Sequence, residues 1–432
     1  MRRAAPDERF HVALPQSTRN GDVPTSDSSS PTGPDVNLTR RVLDAAGAAG
    51  IDAVGVADAS AMHDTRAVLE ERKRLGLHGG MQFTYRNPAR STDPGRTLPG
   101  ARSMVVGARR YAAPVGVGPS PSPVPSPAPP SDPAARPPAR PPAAIVARYA
   151  VDDPYTPLRA GLERVADELR AAGWTARVLA DDNALVDRAA AHRAGIGWFG
   201  RNTNLLLPGA GSWFVLGAVL TDAWLEPAPT PVADGCGTCR RCLDGCPTGA
   251  LVAPGVLDAR RCLAWLVQAD GDFPRVFRRA LGRRIYGCDD CQEVCPPNRD
   301  PRRAPEAVAG AELDVCWLLE ADDDELLEWI GHWYIPRRDL AVVRRNALVV
   351  LGNSGAQCAE WGAWTRVDAV LGRHLRGDDL LARHAAWAAL ELGRRHLLDA
   401  ADVARRAVVV DELRAHDTDV ASGGGTGEDE RP

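Results

Sequence analysis

Three stretches of the chain predict a three-part protein: an α/β domain, a ferredoxin-like module holding two metal clusters, and an all-α tail of HEAT-like repeats. The first rests on helix and strand patterns that alternate between Leu38 and Leu220. The second rests on eight of the ten cysteines falling between Cys236 and Cys295. The third rests on two amphipathic helices spaced about 40 residues apart, each ending at a glycine.

Residues 1–36 are rich in Ser, Pro, Asp and Gly without apolar periodicity. They cannot bury enough surface to offset their ordering entropy and are expected to form a disordered tail. The α/β domain is expected over 37–226. Helical apolar spacing from Leu38 closes at Gly50, and Ile51 to Ala57 then reads as a strand, as does Ser103 to Ala108. Prolines crowd 112–143, removing donors and fixing φ, so this stretch is expected as an extended surface insertion. Beyond it, a helix from Leu158 to Ala172 ends at Gly173, with strands at Thr175 to Leu179 and Trp213 to Leu220. The halves on either side of the insertion are expected to share one sheet. The cluster module is expected over 227–310 and the repeat domain over 311–416. Its helices, Leu340 to Leu351 and Leu380 to Leu392, close at Gly352 and Gly393, and 417–432 is a second polar tail.

With 52 basic and 56 acidic residues the net charge is −4, so overall charge cannot attract a nucleic acid and a local patch would have to. A composition of 44% hydrophobic and 25% charged residues excludes collagen-like, coiled-coil and wholly disordered classes. No apolar run approaches the ~18 residues of a membrane-spanning helix. Arg2-Arg3 is followed by Pro6, Asp7 and Glu8 rather than an apolar core, so export is not expected and the cytoplasm is.

Cys236, Cys239, Cys242 and Cys246, followed by Pro247, spell C-x2-C-x2-C-x3-C-P. That run places three thiolates on one iron-sulfur cube and sends the fourth to a neighbouring cube. Cys288, Cys291 and Cys295, followed by Pro296, repeat it without the middle cysteine, and Cys262 stands upstream to replace it. By ferredoxin wiring, Cys236, Cys239, Cys242 and Cys295 hold one 4Fe-4S cluster, and Cys246, Cys262, Cys288 and Cys291 the other. Zinc is the competing occupant, although zinc ribbons usually set two C-x2-4-C pairs far apart. Cys316 and Cys358 stand alone and read as small buried hydrophobes.

Several segments resemble epoxyqueuosine reductases. They are Arg148-Tyr149-Ala150, the run from Ala191 through Gly195-Ile196-Gly197-Trp198 to Arg201-Asn202, Gly211-Ser212-Trp213-Phe214, Leu257 to Cys262, and Ile285 to Gln292. Arg344-Arg345-Asn346-Ala347-Leu348 is similar to that family's HEAT-like tail. The resemblance implies a cobalamin-binding α/β domain beside two 4Fe-4S clusters, and reduction of epoxyqueuosine to queuosine at the tRNA wobble position. It implies Asp181 as proton donor, one residue from Asp182, with Arg148, Tyr149, Asn202, Ser212, Asp289 and Asp290 around the cofactor. It also implies an anticodon stem-loop as partner, an external reductant such as ferredoxin or flavodoxin, and a monomer. The chain departs from the family pattern at Pro154-Tyr155-Thr156, Arg201 and Pro297.

Arg275, Arg278, Arg279, Arg283, Arg284, Arg299, Arg302 and Arg303 form the densest basic stretch, continued by Arg337, Arg338, Arg344 and Arg345, and are expected to meet phosphates. Two other functions share parts of this pattern: a cobalamin and iron-sulfur dehalogenase, and a non-catalytic electron carrier.

Overall fold

The computed structural model describes residues 33–111, 142–228, 232–298 and 312–421. Of the tails expected at 1–36 and 417–432, residues 1–32 and 422–432 lie outside the described residues, as do most of the proline-rich insertion, Arg299, Arg302 and Arg303, whereas 417–421 are not a tail but the last turn of the helix Ala407–Ala421.

The strands run in chain order as β1 (Ala53–Asp58), β2 (Ser103–Arg110), β3 (Ala143–Val146), β4 (Ala176–Ala180), β5 (Trp198–Phe199), β6 (Leu205–Leu206), β7 (Phe214–Thr221), β8 (Leu251–Ala253), β9 (Val256–Leu257), β10 (Arg284–Tyr286) and β11 (Glu312–Asp314). The main sheet has the order β1-β2-β7-β4 and is antiparallel at every junction. Alternating helices and strands usually accompany parallel pairing. Here periodicity located the strands but did not encode their direction.

Side-chain alternation divides the sheet into two faces. Val105, Val215 and Val219 pack under the helices Val36–Ala48 and Tyr155–Ala171. Met104, Val106, Leu216, Ala218 and Leu220 face the helix Asp187–Arg193 instead. Covered on both sides, β7 reads as one apolar run. Asp35 starts the first helix, its carboxylate accepting from Leu38 N at 2.8 Å.

One expectation about this sheet needs correction. β4 and β7 do join β1 and β2, but β3, the first strand after the insertion, belongs elsewhere. It pairs in parallel with β10 and antiparallel with β11. The backbone before Arg148 is thereby fastened to the segment leading to Cys288, and Ala147 N donates to Tyr286 O at 2.9 Å.

In the carboxy-terminal part, the helices Ala341–Gly352 and Asp379–Glu391 fall within a residue of their expected limits. Arg345 is fully buried and donates to the carbonyls of Leu266 at 2.9 Å and Ala269 and Gly271 at 2.6 Å. Asn346 donates to Val267 O at 2.8 Å and Ile285 O at 3.3 Å. The helical part therefore grips the two segments that follow Cys262 and precede Cys288.

A second tie is the Arg278–Glu412 pair at 2.9 Å, with side chains only 2% and 7% exposed. Removing one partner of such a pair strands the other charge in the interior. Glu412→Ala is expected to cost ~3–5 kcal/mol, read as a lower urea midpoint. Replacing both residues with apolar ones should recover most of that loss.

Candidate functional site

The eight clustered cysteines form two quartets, each drawn from sequence-distant segments. Cys236, Cys239, Cys242 and Cys295 surround one small cavity, whose wall also includes Asn202 and Pro296. Burial, reinforced by Cys236, Cys242 and Cys239, pushes the Cys295 thiol up to about 12. Cys246, Cys262, Cys288 and Cys291 meet on the wall of a second, larger cavity. Burial raises Cys291 well above the thiol range, reinforced by Cys288, Cys262 and Cys246. Crowded, buried sulfurs like these ionise only against a cationic core, because desolvation and mutual repulsion both favour the neutral thiol. Among the described residues no three Cys, His, Asp or Glu side chains converge on a single-ion site. Cys316 and Cys358 are buried away from both quartets in the helical part.

The larger cavity is a cleft with about 1580 Å³ of space, open mouth included. Its walls come from both domains. The α/β domain supplies Tyr111, Tyr155, Leu205, Ser212 and Phe214, and the cysteine module supplies the second quartet, Trp265 and Gln268. Tyr111 follows the end of β2, with its ring 6.5 Å from Tyr149 and 6.1 Å from Trp213.

Of the residues implied by resemblance, Tyr149, Asn202, Ser212, Asp289 and Asp290 line this cleft, while Arg148 reaches it through Asp289. Arg148 N donates to Asp289 Oδ2 at 2.8 Å, and the Arg148 guanidinium lies 4.8 Å over Trp213. Tyr149 lines the cleft and packs 6.2 Å from Tyr286. Gly287 permits that packing: its φ is +74°, and a Cβ there would stand 2.4 Å from Ala147 and 2.9 Å from Tyr149. Asn202 is buried and borders both cavities, with Nδ2 3.4 Å from Cys291 O. Ser212 Oγ donates to Gln292 Oε1 at 2.9 Å and accepts from Asn298 Nδ2 at 2.9 Å.

Negative charge between two sulfur ligands is unfavourable, and the structure shows how each acid is accommodated. Asp290 forms a forked pair with Arg284 at 2.8 and 2.7 Å. Burial pushes the Asp289 carboxyl up to about 6, against the stabilising bond from Arg148 N.

Asp181 directly follows β4, in the left-handed region with φ +51°. It is exposed by area, yet burial raises its carboxyl above the usual range, Asp187 adds to the rise, and Arg159 opposes it. Asp181 shares this neighbourhood with Tyr155, whose phenol is raised first by burial and then by Asp187 and Asp181. Asp182, the adjacent alternative, uses its carboxylate to accept Ala184 N at 2.8 Å within the turn. Asp181 does not line the cleft; Asp187 and Tyr155 do.

Sequence reasoning missed Tyr111, Tyr155 as a wall residue, Asp187 and the buried Gln292. Tyr111, Tyr155 and Asp187 gave no signal beyond position at element ends, and Gln292 gave only its place at the end of the resembling segment Ile285 to Gln292. Of the departures, Thr156 Oγ1 donates to Asp153 Oδ2 at 2.5 Å, closing the turn that starts the helix Tyr155–Ala171. Arg201 donates to Gly237 O.

The arginine stretch is not the free cationic surface that its density suggested. Arg278 and Arg345 are buried and cannot reach a phosphate. Arg275, Arg279, Arg283, Arg284, Arg337 and Arg344 each pair with a carboxylate of this chain. Arg338 donates to Gly331 O at 2.7 Å.

Comparison with known proteins gives three findings. The model of a 4Fe-4S double cluster binding domain matches residues 235–298. The epoxyqueuosine reductase of Vibrio cholerae is 32% identical over 353 residues, covering 78% of this chain and 88% of that one. Two solved structures are similar over 88% of this chain and 98% of theirs. One is an epoxyqueuosine reductase with an epoxyqueuosine-modified tRNA stem loop, with TM-score 0.73 and 27% identity. The other, from Bacillus subtilis, has its catalytic aspartate loop swung out of the active site, with TM-score 0.72 and 26% identity.

Proposed function

Because this chain belongs to the epoxyqueuosine reductase family, we propose that it reduces epoxyqueuosine in tRNA to queuosine, using two 4Fe-4S clusters and a cobalamin in the cleft. The observation that carries this reading is the cleft itself, lined by aromatic side chains and with one complete cysteine quartet in its wall. The net reaction takes two electrons and two protons, breaks the carbon–oxygen bonds of the epoxide and releases its oxygen as water.

The residues present fit a corrinoid. Apolar walls suit the flat ring, and the buried polar side chains of Ser212 and Asp289 in the lining suit its amide rim. Trp213 Nε1 is buried without a hydrogen-bond partner behind the wall residue Tyr111, although Trp213 does not itself line the cleft. When bound, cobalamin supplies a metal centre that accepts electrons singly and supports the step at carbon.

The chain's own residues supply the rest. The quartet of Cys246, Cys262, Cys288 and Cys291 holds the cluster beside the cleft, and that of Cys236, Cys239, Cys242 and Cys295 holds the more remote one. Asn202, bordering both, fixes their separation. Tyr111, Tyr149 and Ser212 hold the cofactor face, and Asp289, anchored by Arg148 N, faces its amides. Asp181 delivers a proton to the leaving oxygen once its loop turns inward, as a raised carboxyl can near neutral pH. A tRNA stem loop presents the substrate at the cleft mouth, and an external ferredoxin or flavodoxin reduces the clusters. We place the protein in the cytoplasm as a monomer with a HEAT-like tail; no helix among the described residues is long and apolar enough to cross a membrane.

Anaerobically reconstituted protein is expected to form queuosine from epoxyqueuosine tRNA only when cobalamin is added. Release of halide from a small organohalide, or failure to bind any corrinoid, would select the dehalogenase or the electron-carrier function instead.

A further inference from the structure

Trp198 lies on β5, only 7% exposed, with its indole nitrogen 3.4 Å from the sulfur of Cys236. The chain is shaped for this approach. A Cβ at Gly235 would stand 2.7 Å from the indole ring, so glycine is what lets the backbone pass. On the other side of Cys236, Arg201 donates to Gly237 O, and Asp234 accepts from Cys236 N at 2.8 Å. The loop is thus pinned with its sulfur facing a side-chain donor. No other tryptophan among the described residues donates to a cysteine sulfur. Cys246 receives a backbone bond instead, from Ala250 N at 3.2 Å.

We propose that Trp198 is a positioning residue that sets the reduction potential of the cluster held by Cys236, Cys239, Cys242 and Cys295, through its hydrogen bond to the Cys236 thiolate. The inference rests on the assignment of that quartet to a 4Fe-4S cluster. Reduction adds one electron to the cluster, and the added charge spreads onto its thiolate sulfurs. A donor aimed at one of those sulfurs stabilises the reduced form more than the oxidised form, which raises the potential. Burial keeps water from substituting for it. The remote cluster is therefore made easier to reduce by a group belonging to the α/β domain rather than to the cysteine module.

The test is a potentiometric titration of anaerobic full-length protein followed by EPR. Trp198→Phe keeps an aromatic ring and removes the donor. Losing a hydrogen bond to a charged acceptor should make the remote cluster about tenfold harder to reduce. For a one-electron couple that is a fall of ~59 mV. The cluster beside the cleft should titrate unchanged, because Trp198 does not touch its ligands. Two intact clusters with unaltered potentials would overturn the proposal.

If the variant does not load both clusters, native protein carrying 15N-indole tryptophan decides the matter. Pulsed EPR of its reduced remote cluster should show coupling to one exchangeable proton and one 15N nucleus, and their absence would overturn the proposal. Native protein without any iron-sulfur signal would instead remove the cluster assignment on which the proposal stands.

Discussion

Asp181→Asn should lower turnover by about 10²–10⁴-fold, the usual contribution of a positioned general acid. Asparagine keeps the size and polarity of the side chain and removes only the transferable proton. Cluster content, cobalamin binding and tRNA affinity should all stay at native levels, because the Asp181 side chain accepts no hydrogen bond among the described residues. The pH dependence follows from the direction of the shift. Burial and Asp187 raise the carboxyl above its usual range. The acid is competent only while protonated, so activity should fall as pH rises through that raised value, and Asp181→Asn should abolish this alkaline limb. Asp182→Asn should leave most turnover in place, since Asp182 is occupied in closing the turn at Ala184 N. If Asp182→Asn were instead the dead variant, the roles of the two neighbours would be exchanged.

Cys262→Ala is expected to remove one cluster and all turnover while leaving the other cluster intact. Cys262 lies outside both compact cysteine runs, yet it stands with Cys246, Cys288 and Cys291 in the wall of the cleft. Burial raises its thiol, and Cys246 contributes to the rise. A cube with three protein thiolates is exposed to solvent at its fourth iron and is readily lost. Iron content should fall by about half, with the EPR signal of the remote cluster retained. Cys316→Ala provides the contrast, since Cys316 is buried in the helical part and should cost only packing. Loss of both clusters in Cys262→Ala would mean that the quartets assemble as one unit.

The ease of reading each of these features from sequence followed how local the underlying physics is. Cys236 to Cys246 could be read directly, since short spacing confines those sulfurs to one loop. The helix limits at Gly50, Gly352 and Gly393 were equally local. By contrast, Tyr111, Tyr155 and Asp187 converge from three separate elements, and no window of sequence contains their meeting. The fate of the arginines is the clearest case. Arg275 and Arg278 look like part of a basic stripe until the fold brings Glu412 beside both, at a separation of 134 residues for Arg278. Strand direction was hidden for a related reason: alternation of buried residues is the same for parallel and antiparallel neighbours, so β3 could not be assigned to its own sheet. Asp181 was reached through resemblance, and what the structure added was a physical reason to prefer it over Asp182.

The most direct test of the central claim is anomalous diffraction at the iron, cobalt and zinc edges from crystals of anaerobically prepared, cobalamin-loaded protein. Two iron peaks are expected, one within each cysteine quartet, and a single cobalt peak in the cleft on the side of Cys246, Cys262, Cys288 and Cys291. Zinc in either quartet, or cobalt bound anywhere outside the cleft, would contradict it.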